Sequence, residues 1–419
     1  MYGGRMKRFL RNGVVVVLVM ILSSALMANG LNLNGSGSKA IGMGGAFVGL
    51  ADDFTAIYWN PAGMSQIKKP MLSFFCSDIM PTGTYKLSPY VDAKTETEHY
   101  LSPAVGFYKP VSDKVTVGIY VYVPSASGAT WDGADLVALT NGKVYEWKSL
   151  FGVISISPAI AIQLNEKFSI GASLNVEYGF DKVKRPMLGQ YDESLNGWAV
   201  GGTLGIMFQP SKKLSFGATY KLPVSVTLSG TVNIPAAASL GLPTSDTGER
   251  SADFPMWFGF GVAYKPTDRL TFTADAHFTN WKKMTLIDMQ FVNSYWNAAF
   301  GEIADFDLEW KDTQQIRFGM EYKVSQSLAL RAGFYTDPSP SPKRTQNILL
   351  PQISYKFATF GLGYKTSKFL IEGAFEYGFG KERTILPTEV KTNKGRMIGM
   401  PGVHQENIPV PNISVTFFL

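Results

Sequence analysis

Six segments of this chain share one design: an alternating strand that ends in an aromatic or apolar residue, a short polar turn, and a second alternating strand. They are VGFYKPVSDKVTVGIY, AIAIQLNEKFSIGASL, GIMFQPSKKLSFGATY, GVAYKPTDRLTFTADA, GMEYKVSQSLALRAGF and GLGYKTSKFLIEGAFE. Lysine and proline crowd the turns, which run to about two to five residues, the usual length of hairpin connections. Inside the strands the alternation is regular. Leu270, Phe272, Ala274, Ala276 and Phe278 oppose Thr271, Thr273, Asp275, His277 and Thr279. Phe168, Ile170, Ala172 and Leu174 oppose Ser169, Gly171, Ser173 and Asn175 in the same way. Successive strand residues face opposite sides, so each strand carries one apolar and one polar face.

Longer segments rich in Gly, Pro, Asn, Ser and Thr separate the hairpins, at about 81–98, 125–150, 181–194, 229–253, 282–311, 336–352 and 380–408. They read as irregular loops. Short turns alternating with long loops are the connection pattern of a membrane β-barrel. Six hairpins supply twelve strands; Met71–Met80 before them and Pro409–Leu419 after them bring the total to fourteen, an even number. Tyr108, Phe208, Tyr264, Tyr322 and Tyr364 lie beside the short turns, where an interfacial aromatic girdle is expected. A soluble β-sandwich would also alternate, but it needs neither strand-end aromatics nor a systematic short–long rhythm. The fold class expected is all-β: a fourteen-stranded antiparallel transmembrane barrel.

The first residues, MYGGRMKRFLRNGVVVVLVMILSSALMANG, combine a basic start, an apolar run over Val14–Leu22 and small residues around Ala25–Ala28. That is the pattern of a secretory signal peptide over residues 1–28. Of 39 basic and 33 acidic residues, the leader holds four basic ones, so the mature chain carries 35 − 33 = +2. The basic pI therefore gives no argument for nucleic acid. The single cysteine, Cys76, excludes an intramolecular disulfide or a thiolate metal cluster. At 45% hydrophobic residues the chain lies outside the range of disordered sequences.

Several chemical motifs fail on inspection. GMGGAFVGLADD has Phe47 where the third glycine of a dinucleotide fingerprint belongs, and no βαβ unit surrounds it. His99, His277 and His404 are too scattered for a metal site. A hydrolase triad on His277 lacks a nucleophile motif, so a lumen-facing polar residue is the preferred reading. Neither a catalytic site, a metal nor a cofactor is expected. Glu177, Asp275, Arg317, Glu321, Arg331, Glu372 and Glu376 all lie on polar strand faces. Most should compensate one another in a wet interior. Arg317 and Arg331, on neighbouring strands, are the candidates to receive the carboxylate of a ligand by bidentate hydrogen bonds.

Residues 29–69 stand apart from the strands that begin at residue 70. Asn60 suits a helix N-cap and Pro61 the first helical position, while Asp52 and Asp53 suit the start of a short preceding helix ending near Trp59. About forty residues cannot bury a core alone, so this segment must pack inside the barrel of residues 70–419 as a plug. The stretch SGSKAIGMGGAFVGLADDFTAIYWNPAGMSQI resembles the N-terminal hatch of FadL-type outer-membrane transporters of long-chain fatty acids and hydrocarbons, which include TodX-like channels. Asn60, Pro61 and Ala62 match its NPA motif, and Ala51-Asp52-Asp53 its acidic lead-in. The resemblance implies a monomer in the Gram-negative outer membrane, in contact with its lipid and importing hydrophobic small molecules by hatch-gated passive diffusion. It further implies capture between the outer loops, and exit through a gap in the wall. The apolar loop stretches Asn347–Leu350 and Ile234–Ala238 read equally as a capture groove or as ordinary loop packing. The competing functions are an adhesin-like or structural surface barrel and, behind it, an outer-membrane enzyme built on His277.

Overall fold

The computed structural model describes residues 30–394 and 396–419; the expected signal peptide lies outside the described residues. Fourteen antiparallel strands form the wall. In chain order they are β1 (Met71–Ile79), β2 (Tyr100–Pro110), β3 (Val115–Trp131), β4 (Trp147–Gln163), β5 (Phe168–Pro186), β6 (Gln190–Ser211) and β7 (Leu214–Lys221). There follow β8 (Trp257–Tyr264), β9 (Leu270–Thr279), β10 (Thr313–Lys323), β11 (Leu328–Asp337), β12 (Tyr355–Lys365), β13 (Phe369–Gly380) and β14 (Gly402–Phe418). The sheet closes on itself because β1 pairs with both β2 and β14, Met71 standing opposite Tyr108 on one side and Phe418 on the other. Closure pairs the first wall strand with the last, so the sheet has no terminal edge strand.

The two faces sort as their chemistry requires. Phe272 is 43% exposed on the outside and Leu174 is 52%, whereas their inward neighbours Thr273 and Ser173 are buried. Tyr264, Tyr322 and Tyr364 stand outward near the short turns as expected. Tyr108 does not. Along β2 the even-numbered residues Ser102, Ala104 and Tyr108 face inward, and it is Phe107 that points out. Tyr108 is fully buried, and its hydroxyl donates to the carbonyl of Phe54.

Several segments read as loops are continuations of paired strands. The expected loop 181–194 is a hairpin in which β5 and β6 stay paired to Pro186–Gln190, turning at Met187–Gly189. β3 and β4 likewise run on to Trp131–Trp147. Val224–Asn233 and Ser245–Phe254 form a further hairpin in the segment 229–253. Alternation persists there because these extensions still have an apolar side to hide. Val183, Tyr191, Leu195, Val232, Trp281 and Trp296 belong to one buried cluster beneath the outer loops. Ile234, Ala237 and Leu349 belong to this canopy, and Ile348 is buried in a neighbouring cluster with Tyr85, Val91 and Trp131, so the two apolar loop stretches are packed rather than forming an open groove.

The N-terminal segment fills the lumen. It contains α1 (Ser38–Gly42), α2 (Ala56–Trp59) and a 3-10 turn over Pro61–Gln66. Gly44 and Gly45, misleading as a nucleotide motif, sit at φ +66 and +63, the left-handed conformation that glycine adopts freely. They turn the chain between α1 and Phe47. The segment buries Phe47, Phe54, Ile57, Tyr58, Trp59 and Met64 among themselves and against wall residues.

Candidate functional site

Asn60 has the extended backbone of an N-cap, φ −162 and ψ 102, and its Oδ1 accepts from Ala62 N at 3.1 Å. Pro61 follows at the first position of the turn, as expected. Asn60 does more than cap. Its Nδ2 donates to Val48 O within the plug and to Ile206 O on strand β6, both at 3.0 Å. One fully buried amide therefore ties two parts of the plug to the wall. Asp53 starts the preceding turn: its Oδ1 accepts from Thr55 N at 2.7 Å and from Thr55 Oγ1 at 2.6 Å. Burial, opposed by the ammonium of Lys39, pushes its carboxyl up to about 7. Its neighbour Asp52 pairs with Lys39 at 2.7 Å.

The plug meets the wall backbone to backbone. A Cβ at Gly171 would strike Pro61, one at Gly205 the Asn60 side chain, and one at Gly217 the Val48 carbonyl. Gly261, Gly319, Gly333 and Gly361 abut Gly49, Met43, Gly44 and Gly42 in the same manner. These seven glycines lie on β5, β6, β7, β8, β10, β11 and β12, a belt around the plug. Strand β9 interrupts the belt, and there Asp275 Oδ2 accepts from Val48 N at 2.8 Å instead. Thr359 Oγ1 and Ser414 Oγ add further plug-to-wall bonds.

The two candidate arginines do not share a site. Arg331 is buried against Glu321 and Glu372, each at 2.8 Å, and lines a cavity of about 280 Å³ on the side of the short turns. Two wall carboxylates thus face its guanidinium, while its Nη1 has no hydrogen-bond partner among the described residues. Arg317 lines a cavity of about 80 Å³ on the other side of the plug. It donates to Gln315 Oε1 at 3.1 and 2.7 Å and to Gly44 O at 3.1 Å, and its guanidinium stacks over Tyr335 at 4.2 Å. His277 shares this cavity and bonds Asp275 at 3.2 Å.

Lys221 lines the same cavity and was missed. Its ammonium sits 3.9 Å over the ring of Tyr58 and 4.9 Å over Trp257, with no carboxylate within ion-pairing distance among the described residues. In the sequence it ends a strand just before Leu222-Pro223, where lysine reads as a solvated strand end. A cation cradled by aromatic faces is held by their quadrupoles and remains open to an anion.

The wall is incomplete beside this cavity. β2 and β3 pair only over Val105–Pro110 and Thr116–Val121. Above that point the register of β3 against β4 shifts between Tyr122 and Ser125, around Pro124. The two strands meet no further rung, and the opening is bounded above by the bridge Thr95–Trp131. Residues 31–33 occupy the freed edge: Leu33 N donates to Pro124 O and Ala126 N to Leu31 O, both at 3.0 Å. Asn32, Leu33 and Asn34 thereby form a partition between the cavity of Lys221 and a second one of about 140 Å³ lined by Ile79, Tyr100, Phe357 and Ile408.

Residues 19–402 match the family described as Outer membrane protein transport protein (OMPP1/FadL/TodX). The chain belongs to that family. The chain is similar to the long-chain fatty acid transport protein of Salmonella typhi, 23% identical over 404 residues, covering 86% of this chain and 90% of that one. Outer membrane protein P1 of Haemophilus influenzae is 20% identical over 445 residues, covering 92% and 93%. Among solved structures, a Pseudomonas aeruginosa FadL homologue superposes with a TM-score of 0.79 at 18% identity, covering 93% of this chain and all of that chain. The toluene transporter TodX of Pseudomonas putida gives 0.71 at 18% identity, covering 92% and 98%. Membership places the chain among transport proteins of the outer membrane, and a closed barrel with an outward-facing apolar wall is the fold such a location requires.

Proposed function

We propose that this protein imports hydrophobic compounds, long-chain fatty acids or aromatic and aliphatic hydrocarbons, across the outer membrane by passive diffusion and without chemical conversion. The observation that carries the reading is the wall opening between β2 and β3, held shut by residues 31–33 beside two lumenal cavities. An apolar solute gains nothing from a water-filled pore; it needs a dry pocket followed by an exit into lipid. Displacing the partition of Asn32, Leu33 and Asn34 joins the two cavities and uncovers the opening in one movement. The NPA turn of Asn60, Pro61 and Ala62 anchors the rest of the plug while that strand moves, and so acts as the fixed end of the gate. Arg317 and Lys221 supply the charge that orients a carboxylate-bearing cargo; a hydrocarbon uses the aromatic walls alone. The protein works as a monomer, since lumen, gate and exit are complete in one chain.

The test is a reversible lock. Asn32 and Ser125 form a bridge across the opening, so Asn32→Cys with Ser125→Cys, in a Cys76→Ser background, pins the partition once oxidised. Uptake of labelled oleate and of a labelled monoaromatic hydrocarbon by cells should stop under oxidant and return with reductant. A cross-linked protein that imports both at the uncross-linked rate refutes the gate.

A further inference from the structure

The two cavities on either side of the partition differ in the sign of their charge. That of Lys221 also holds Arg317 and His277, beside the single carboxylate of Glu177. Across Asn32, Leu33 and Asn34, the cavity of about 140 Å³ is lined by Asp337, Glu376 and Glu406, and by no lysine, arginine or histidine among the described residues. Glu376 lies on the inner face of β13 and Glu406 on that of β14, 6% and 7% exposed. Each carboxylate gives one oxygen to a tyrosine: Glu376 Oε2 accepts from the Tyr335 hydroxyl at 2.7 Å, and Glu406 Oε2 from the Tyr355 hydroxyl at 2.9 Å. The Oε1 atom of each has no hydrogen-bond partner among the described residues, and no cation there lies within ion-pairing distance. Arg317 stacks over Tyr335 at 4.2 Å but does not line this cavity. Asn34 adds a third acceptor, a buried Oδ1 that likewise has no partner among the described residues.

A buried carboxylate is stable when a cation or a donor faces it, and here the described residues offer neither to these oxygens. A primary ammonium carries three N–H donors and no acceptor, the complement of three acceptors without donors. The rings of Tyr355 and Phe357 line the same space, and aromatic faces attract cations. Ile79, Leu150 and Ile408 give it an apolar side for the rest of such a molecule. We infer that this cavity binds the ammonium head of an amphiphilic amine, a ligand of charge opposite to a fatty acid. Like-sign repulsion keeps a carboxylate on the Lys221 side of the partition. Tyr100 and Ala126–Gly128, on the stretches where β2 and β3 do not pair, border the cavity, so the head is held beside the wall opening. The place of this site on a cargo route rests on the import proposed above; its chemistry does not.

The experiment titrates full-length protein in nanodiscs with hexylamine, hexanol and hexanoate, which share a chain length and differ in the head. Binding at pH 7 is read by ligand-observed NMR, with protein-free nanodiscs as the baseline for partition into lipid. Hexylamine, protonated at this pH, should bind about 10- to 100-fold more tightly than hexanol, the worth of a charge-assisted hydrogen bond. Hexanoate should not displace it. The variant Glu376→Gln/Glu406→Gln keeps an acceptor for each tyrosine and removes both charges; hexylamine should fall to the affinity of hexanol, with hexanol itself unchanged. Heat-modifiable gel mobility verifies that the barrel is closed, and the ranking of the three probes on the unaltered protein tests the site without any variant. Equal affinity for hexylamine and hexanol, displacement by hexanoate, or unchanged hexylamine affinity in the folded double variant overturns the inference. Equilibrium binding separates this outcome from that of the gate. Glutamate-dependent amine binding in a protein whose cysteine lock fails to stop uptake leaves the site standing and the gate refuted, and a working lock without amine preference does the reverse.

Discussion

Replacing Asn60 by alanine isolates the plug from the barrel. The side chain is fully buried and makes three hydrogen bonds: from Ala62 N at 3.1 Å, and to Val48 O and Ile206 O at 3.0 Å. Each is worth about 1 kcal/mol net, and the groups left behind are buried, so the loss is about 3 kcal/mol. That sum includes the cap, which alone accounts for about 1 kcal/mol. All of it falls on the seated plug, because the wall strands pair with one another whether or not the plug is in place. About 3 kcal/mol shifts the balance of seated and displaced plug by about 100-fold. Amide hydrogen exchange over residues 44–49 and 60–66, in nanodiscs, reads that balance directly. Exchange there should accelerate by about this factor while the rungs of β5 and β6 keep their protection, and ion leakage through planar bilayers should rise. Unchanged exchange in both plug segments, together with wild-type conductance in a variant inserted at normal yield, would refute the argument that Asn60 holds the plug.

Two other outcomes follow from the side-chain environments. Phe272→Arg should impair insertion by about 2–4 kcal/mol if the residue lies near the bilayer midplane, whereas Thr273→Arg, on the lumen side, should cost far less; equal folding yields in a lipid refolding titration would contradict the faces assigned here. Lys221→Met and Arg317→Met should each weaken binding of a fatty acid by about 1.5–3 kcal/mol, the worth of a hydrogen bond to a charged group, and leave an uncharged hydrocarbon of similar length unaffected. Parallel losses for both ligands would make the two cations structural.

The barrel was legible because period-two alternation and short turns are local properties, repeated often enough to count. The reach of the strands was not. β5 and β6 stay paired out to Pro186 and Gln190, and only the canopy cluster of Trp281, Trp296 and Leu195, assembled from distant loops, explains why their alternation persists there. Tyr108 was misassigned for a related reason: nearness to a turn suggested a girdle, but a single step of register decides between lipid and lumen. Asn60 and Pro61 could be read as a cap because a cap needs only neighbours in sequence. That the same amide reaches Ile206, 146 residues away, could not be. Arg331 and Arg317 look equivalent as lumenal cations, and what separates them is their company: Glu321 and Glu372 for one, Gln315 and a plug carbonyl for the other. Lys221 depends on Tyr58, which approaches it only once the plug is seated.

The glycine belt reverses the usual scale of side-chain replacement. Alanine is ordinarily the gentlest change a strand can receive, and the harshest are the bulky ones. Along this wall the first methyl group already does the damage, since at Gly171 or Gly217 it meets main-chain atoms of the plug, which cannot swing aside as a side chain does. Larger substituents have little left to add. A systematic alanine survey of the barrel would therefore find its most disruptive positions where there is no side chain to remove, and the most tightly specified part of this transporter is a row of absent atoms.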